Sequence, residues 1–165
     1  MGANQTGWFK SIEAWRPDML PDEFRKKYAE VLNQKRGGGY WIWKYALLEE
    51  TMKEIDEGEF VVYLDAGCQI NPNATEKFNE YIRAIQSSPY DMLCLPLKNE
   101  LEYKWTTEYA FQLMGVDKNS TEIRETNQFW AGALVMQKGN HYRKWIQSIL
   151  EVLDKDPLVI TDRDQ

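Results

Sequence analysis

The spacing of apolar residues along the chain predicts four amphipathic helices. Pro21 is followed by two acids, which is typical of a helix start. The glycines at 37–39 end that helix, and a second helix is predicted over 40–54. The four apolar faces are, in chain order, Phe24, Tyr28, Val31 and Leu32; Trp41, Tyr45, Leu48, Met52 and Ile55; Phe78, Tyr81, Ile82 and Ile85; and Tyr142, Trp145, Ile146, Ile149 and Leu153.

Capping signals add detail to two helix starts. Asn73, with Glu76 three residues later, resembles a capping box before the third helix. Thr106 is suited to be the N-cap of a short additional helix that reaches Met114, where Gly115 would end it. The polar residues at 116–126 predict a loop.

Continuous apolar runs of strand length predict the sheet. The run at 60–64 is β-branched and aromatic, which indicates a strand buried on both faces of a parallel or mixed sheet. A second strand is predicted over 92–97, with Pro96 at its end or at a sheet edge. A third is predicted over 129–136, and a short alternating stretch at 8–15 is a further candidate strand.

Helices alternate with strands, and the chain has no internal repeat or low-complexity linker, so we expect one α/β domain over residues 1–165. Hydrophobic residues make up 43% of the chain, which is typical of a globular protein rather than a disordered one. The seven Trp and nine Tyr have two interpretations. They fill the core, or they form platforms on which sugars or bases stack.

Charge and targeting signals narrow the function classes. The net charge of -6 argues against general nucleic-acid binding, so an anionic ligand would need placed cations such as Arg36 and Lys44. No apolar run reaches the roughly 18 residues of a transmembrane helix, and the start lacks a signal-peptide pattern. Cys68 and Cys94 are expected to be buried thiols, for which the cytoplasm is the simplest compartment.

The segment Arg36–Lys44, RGGGYWIWK, is a candidate phosphate site. Its glycines allow a sharp turn and close approach to a ligand, and the following helix would point free amide groups at a phosphate. The glycine spacing is neither the dinucleotide nor the Walker pattern. The alternative is a loop with Trp41 and Trp43 in the core, an interpretation that suits Trp41 better than Trp43.

Asp65 follows the apolar run at 60–64 directly. In open α/β sheets, ligands bind at the carboxyl ends of strands, where an aspartate can hold a divalent ion that bridges a diphosphate. Gly67 would let the chain turn away beside it. The alternative interpretation of Asp65 is an ordinary turn residue.

Four motifs, in order, resemble a group of GT-A-type glycosyltransferases of bacteria and large DNA viruses, which includes capsule and surface-glycan enzymes. They are Arg36–Lys44, Tyr63–Cys68 (YLDAGC), Lys104–Thr106, and Asn127–Gln128 with Ala131–Gly132. The resemblance spans roughly residues 8 to 162. It implies a Rossmann-like mixed sheet flanked by helices, a nucleotide diphosphate sugar donor, and a glycan or other hydroxyl acceptor.

The resemblance also implies residue roles. Asp65 corresponds to the first aspartate of the DxD motif and would hold Mn²⁺ or Mg²⁺ with the donor diphosphate. Glu108 and Asp162 are candidates for the carboxylate that takes the acceptor proton. The donor side would include Arg36, Gly39, Tyr40, Trp43, Lys44, Asp65, Ala66 and Gly67, and the acceptor and sugar side would include Trp105, Thr106, Gln128, Trp130 and Gly132.

Two departures from the family pattern leave alternatives open. Gly67 stands where the second acid of DxD belongs, so metal dependence is an open question. GT-A domains also have further segments at both ends, so truncation at both ends is expected. Both departures favour a non-catalytic module of the same fold that binds a nucleotide sugar or carbohydrate. A structural or protein-interaction α/β domain is the other alternative.

Overall fold

In the computed structural model, which describes residues 3–162, helices and strands alternate along the chain, and the predicted α/β class is confirmed. The helices are α1 (Asp22–Lys27), α2 (Ala29–Leu32), α3 (Gly37–Tyr40), α4 (Trp43–Glu54), α5 (Thr75–Gln86), α6 (Glu108–Leu113), α7 (Thr121–Arg124) and α8 (Asn140–Lys155). The strands are β1 (Phe60–Leu64), β2 (Met92–Leu93), β3 (Pro96–Leu101), β4 (Asn127–Phe129) and β5 (Ala133–Gln137). Single 3₁₀ turns lie at Ala3–Gln5, Pro17–Met19, Glu102–Lys104 and Pro157–Ile160.

The described strands form two antiparallel sheets. The larger sheet has the order β1-β5-β2, with Leu64 opposite Ala133 and Met92 opposite Met136. The smaller is a ribbon of β3 and β4 in which Pro96 faces Phe129. These pairings differ from the mixed sheet that was expected. The continuous apolar run of β1 does not distinguish parallel from antiparallel neighbours, because it reports only that apolar side chains cover both faces.

The main core lies between the larger sheet and helices α4 and α8. Its buried members are Leu48, Met52, Tyr63, Leu134, Met136, Tyr142 and Ile146. Each large apolar side chain buried there contributes about 1.5–3 kcal/mol relative to exposure. The opposite face packs less tightly, since a cavity of about 180 Å³ remains between α5, the sheet and the residues near Trp8. This core fixes α4 against the end of β1, where the candidate site lies.

The candidate strand at 8–15 is wrong, because those residues have no strand structure. Trp8 instead stacks on Phe78 of α5 at 4.7 Å between ring centroids, and its indole N–H donates to Thr75 Oγ1 at 3.0 Å. Trp15 packs 5.3 Å from the ring of Tyr63. The alternating apolar residues at 8–15 therefore include aromatic side chains that pack on α5 and on the core, and they do not form a strand.

Three other boundaries differ from the predictions. The strand expected over 129–136 is divided, because Trp130 N–H donates to the Leu95 carbonyl at the crossing between the two sheets. Thr107 rather than Thr106 caps α6, its hydroxyl accepting from Ala110 N–H at 3.1 Å. The expected loop at 116–126 contains α7.

Two predicted helix starts and ends also shift. The capping box at Asn73 is replaced by an Asx turn, in which the Asn71 side chain accepts from Asn73 N–H at 3.0 Å, and Ala74 is the N-cap of α5. The first predicted helix is broken into α1 and α2 at Tyr28. Cys68 and Cys94 are free and half-buried. No helix within residues 3–162 combines the length and apolarity that crossing a membrane requires.

Candidate functional site

The glycine-rich segment contains α3, which is a left-handed helical turn and not a regular right-handed helix. The φ angles of Gly37, Gly38, Gly39, Tyr40 and Trp41 are 57°, 59°, 95°, 49° and 61°. Left-handed backbone costs a residue with a side chain about 1–2 kcal/mol, so three consecutive glycines make this turn accessible. As a result α4 begins at residue 43 rather than at residue 40 as predicted.

Close packing explains Gly39 in particular. A Cβ atom there would lie 2.6 Å from Leu32 Cα and 3.0 Å from the Val31 carbonyl oxygen, both in α2. The turn therefore rests directly on the α2 backbone. This contact gives Gly39 a packing role in addition to its predicted place on the donor side.

Backbone N–H groups of the turn donate hydrogen bonds to carbonyls within the chain. Gly38 and Gly39 donate to the carbonyls of Lys35 and Gln34 at 3.3 and 2.9 Å, and Tyr40 donates to that of Arg36 at 2.7 Å. The expectation that this segment offers free amide groups to a phosphate is therefore wrong for these residues.

The two tryptophans of the segment reverse their expected positions. Trp41 is 43% exposed, because the left-handed turn points it away from the apolar face of α4. Trp43 is half-buried, and its indole N–H donates to the Gly37 carbonyl at 2.9 Å. The interpretation of Trp41 as a core residue is wrong.

A buried lysine joins three of the predicted motifs. Lys44 Nζ donates to the Ala131 carbonyl at 2.7 Å, lies 3.7 Å from Asp65 Oδ1, and sits 4.6 Å from the ring centre of Tyr63. The side chain of Lys44 is only 6% exposed, while that of Asp65 is 44% exposed. We call Lys44, Tyr63 and Asp65 the inner triad.

The inner triad is held by further hydrogen bonds. The Tyr63 hydroxyl donates to Asp65 Oδ1, and Asp65 N–H donates to the Gly132 carbonyl at 2.8 Å. Burial lowers the pKa of Lys44, and the neighbouring Asp65 carboxylate opposes that shift. Burial, followed by Asp65, raises the pKa of Tyr63, which keeps its hydroxyl a donor. Both Tyr63 and Lys44 face Asp65 Oδ1, so Asp65 Oδ2 receives no hydrogen bond from the other two members of the triad.

An exposed indole lies beside that carboxylate. A Cβ atom on Gly132 would be 2.5 Å from Trp130 Nε1 and 2.8 Å from Asp65 Oδ2, so the indole and the carboxylate flank the same point. Trp130 is 39% exposed. An aromatic face next to a carboxylate suits a sugar, whose C–H face stacks on the ring while its hydroxyls donate to the carboxylate. Gly132 is buried, and the absence of a side chain there lets the indole and the carboxylate pack against its backbone.

Ala66 and Gly67 lie exposed in the turn after Asp65, which the hydrogen bond from Cys68 N–H to the Asp65 carbonyl closes at 2.8 Å. Among residues 3–162, no group of three or more His, Cys, Asp or Glu side chains could hold a metal ion. Mn²⁺ and Mg²⁺ bind several oxygens. Asp65 offers one oxygen beside an ammonium group, so the described residues fit a resident metal poorly.

A second cluster links the glycine-rich turn to the far end of the described chain. Arg36 donates to Asp162 Oδ1, the Tyr40 hydroxyl donates to Oδ2 at 2.7 Å, and Asp162 N–H donates to the Tyr40 oxygen at 3.3 Å. The side chains of Arg36 and Asp162 are 53% and 40% exposed. The hydrogen bonds from Tyr40 and Arg36 lower the pKa of Asp162, which makes it a weak base. We call these residues the outer triad.

Glu108 lies elsewhere, in the first turn of α6. Arg124 Nη2 donates to its carboxylate at 2.7 Å, and the Arg124 guanidinium stacks 4.3 Å from the ring centre of Phe111. Both carboxylates predicted to act as bases are therefore bound to arginines in this conformation.

The predicted acceptor residues are spread over the β3–β4 ribbon. The Trp105 indole donates to Glu100 at 2.9 Å, and Thr106 donates to Glu102 at 2.9 Å, both after β3. Gln128 is half-buried in the middle of β4. Of the five predicted acceptor residues, Trp130 and Gly132 are the two whose contacts bring them to Asp65.

A cleft of about 730 Å³ opens beside the glycine-rich turn. Trp15, Trp43 and Leu47 are among its apolar lining residues, and Arg16, Asp18 and Arg25 are its charged ones. This volume is within the range of small-molecule sites, roughly 300–1,000 Å³. Trp15 also packs against Tyr63, so its indole contacts both the cleft and the inner triad.

Tyr63 and Trp15 were not among the predicted site residues. Tyr63 was counted as one apolar residue of a strand, although residues two apart on a strand share a face and Asp65 stands two positions later. The Tyr-x-Asp pattern could have identified it. No local signal marks Trp15, because its role depends on a contact with a residue far away in the sequence.

No protein-family model matches this chain, and comparison with curated proteins and with solved structures finds no significant similarity.

Proposed function

We propose that this chain is a glycosyltransferase-like domain that binds a nucleotide diphosphate sugar. The observation that carries the proposal is the convergence of three distant motifs on Lys44, whose ammonium group contacts Asp65 and the Ala131 carbonyl. In support, the exposed indole of Trp130 and the carboxylate of Asp65 both pack against Gly132. On this proposal the donor sugar stacks on Trp130 and its hydroxyls donate to Asp65.

The remaining parts of the donor follow from the same surroundings. The 730 Å³ cleft has room for a nucleoside between apolar walls that include two indoles. The diphosphate would lie near the cationic Arg36 at the adjoining turn, and Lys44 acts by positioning Asp65 because its own ammonium group is buried. In the reaction, an acceptor oxygen bonds to the anomeric carbon as the bond to the diphosphate breaks. The electron pair leaves with the diphosphate, which the guanidinium stabilises electrostatically.

The acceptor hydroxyl must lose its proton to a carboxylate, and here a second candidate function gains support. Asp162 and Glu108 are both paired with arginines in this conformation. A non-catalytic module that binds a nucleotide sugar or a carbohydrate needs no such base. It uses the same surface, so the two functions differ only in turnover.

Calorimetric titration with nucleoside diphosphates and nucleotide sugars, with and without Mn²⁺, tests both. We expect binding that weakens by about tenfold in Asp65→Asn, which keeps the shape and removes the charge. Glu122→Gln, a change at an exposed acid of α7, is the matched control. Binding with release of free sugar or transfer to an acceptor supports the enzyme, and binding without turnover supports the module. No heat with any of these ligands would refute both.

A further inference from the structure

We infer that Arg36 and Tyr40 form a binding site for a phosphate group, and that the carboxylate of Asp162 occupies this site in the ligand-free chain and must leave when a phosphate-bearing ligand binds. The inference deepens the proposed function, on which it rests for identifying the phosphate as the diphosphate of the donor. It assigns to Asp162 an inhibitory role instead of the predicted catalytic one.

The two donors of the site are local to one segment. The bond from Tyr40 N–H to the Arg36 carbonyl joins the start of the left-handed turn to Tyr40, and the guanidinium lies 5.6 Å from the ring centre of Tyr40. Gly39 fixes that turn on α2. The guanidinium and the phenol lie side by side on one short segment and reach a common acceptor. Asp162 comes from 122 positions further along the chain and fills the place from outside.

The chemistry of the contact matches a phosphate. Arg36 donates to one oxygen of Asp162 and Tyr40 donates to the other, which is an arrangement that two oxygens of a phosphate reproduce with greater negative charge. Both charged side chains are more than a third exposed, so water and a ligand reach them. Exposed ion pairs are weak, and a ligand that makes further contacts in the adjoining cleft can displace the carboxylate.

A similar arrangement elsewhere in the chain provides the control. Tyr28 donates its hydroxyl to Asp154, and Lys27 pairs with the same carboxylate. We call Lys27, Tyr28 and Asp154 the helix triad. Its tyrosine is 3% exposed, so the helix triad has no open ring face beside a cleft. Removing Asp154 changes the net charge as much as removing Asp162 does.

The test is calorimetric titration of the full chain with inorganic pyrophosphate at fixed ionic strength. We expect Asp162→Ala to bind it about threefold to tenfold more tightly than the unaltered chain, because the internal competitor is gone. Asp154→Ala should bind it with unchanged affinity. Adding Arg36→Ala or Tyr40→Phe to Asp162→Ala should remove the gain. Circular dichroism of each variant checks that it is folded.

With pyrophosphate, two results would overturn the inference: unchanged affinity in Asp162→Ala, or equal tightening in Asp162→Ala and Asp154→Ala, which would be a general charge effect. Nucleotide sugars, titrated in parallel, separate the inference from the proposed function. Tighter pyrophosphate binding without any nucleotide-sugar binding keeps the inference for free phosphates and refutes the proposed function. Nucleotide-sugar binding that depends on Asp65 but not on Asp162 keeps the proposed function and refutes the inference.

Discussion

The inner and outer triads have the same composition, a carboxylate with a tyrosine hydroxyl and a cation, yet they differ in what holds them. In the inner triad the cation is buried and is bound to the sheet through the Ala131 carbonyl. In the outer triad both charges are exposed, and Arg36 and Asp162 are 126 positions apart along the chain. A buried cation therefore holds its carboxylate in a fixed position, whereas an exposed cation can release its carboxylate and bind a ligand in its place.

The scaffold of the outer triad should give the largest effect on stability. Gly39→Ala places a Cβ atom 2.6 Å from Leu32 Cα on a backbone with φ of 95°, so the turn or α2 must shift. We expect a loss of about 3 kcal/mol in the free energy of unfolding, measured by urea denaturation. Gly67→Ala is the control, because nothing lies within 4 Å of its Cβ position. Similar losses in both variants would contradict the packing role of Gly39.

The two cations come next, and they test the comparison directly. Lys44→Met keeps the length of the side chain but leaves the Ala131 carbonyl without its donor and Asp65 without its cation. We expect a loss of about 2 kcal/mol, less than for a fully buried pair because Asp65 keeps contact with water. Arg36→Met, in the outer triad, should lose no more than about 0.5 kcal/mol. Equal losses in urea denaturation would show that the triads do not differ as described.

The helix triad shows how burial acts on a tyrosine, through the pH dependence of stability. Burial, followed by the bond to Asp154, raises the pKa of Tyr28 from its usual 10.0 to about 12. The folded chain thus holds this proton more tightly than the unfolded chain does. The resulting stability is fully present below pH 10 and is lost as the pH rises from 10 toward 12. We expect the unaltered chain to lose about 1–2 kcal/mol relative to Tyr28→Phe over that window.

Urea denaturation of both proteins at pH 9, 10, 11 and 12 would measure this difference, with the pH values chosen to span the window that the linkage relation predicts. The comparison with Tyr28→Phe removes the contributions of the other tyrosines, which are common to both proteins. Parallel pH profiles for the two proteins would contradict the assigned role of the Tyr28 proton.

How much of this could be predicted from the sequence depends on the range of the interactions. Strand β1 lies where its apolar run placed it, and helix α8 covers the predicted apolar face, because both patterns are strong and local. The left-handed turn was not predicted, because Trp41 stands at helical spacing from Tyr45 and therefore fits a longer α4. The spacing of apolar residues carries no information about the sign of φ. Antiparallel pairing was missed for a similar reason, since it is decided between distant strands.

The candidate site was predicted in part. Motif order brought together Lys44, Asp65 and Gly132, and the contacts support that grouping. The sequence could not show that Lys44 would be buried, because its exposure depends on how α4 packs against β5. Nor could it show that Asp162 would pair with Arg36, since that contact joins residues 126 positions apart. The sequence shows which residues are charged, but only the fold shows which charged residues pair with each other.

The position two residues after Asp65 gives the smallest expected change in stability and the sharpest test of the inner triad. Gly67 has open space at its Cβ position and no positive φ, so an aspartate fits there without strain. In the unaltered chain, the positive charge of Lys44 nearly balances the single negative charge of Asp65. Gly67→Asp would add a second carboxylate beside Asp65, so that the negative charge at the site would exceed the positive charge. We expect weak Mn²⁺ binding by calorimetry, with a dissociation constant on the order of 10⁻⁴ to 10⁻³ M, and a change in the free energy of unfolding of less than about 0.5 kcal/mol.

Gly67→Asn has the same shape without the charge and should bind no Mn²⁺. If the unaltered chain already binds Mn²⁺ as tightly as Gly67→Asp, then Asp65 holds a metal despite Lys44, and the inner triad is a metal site rather than a fixed support.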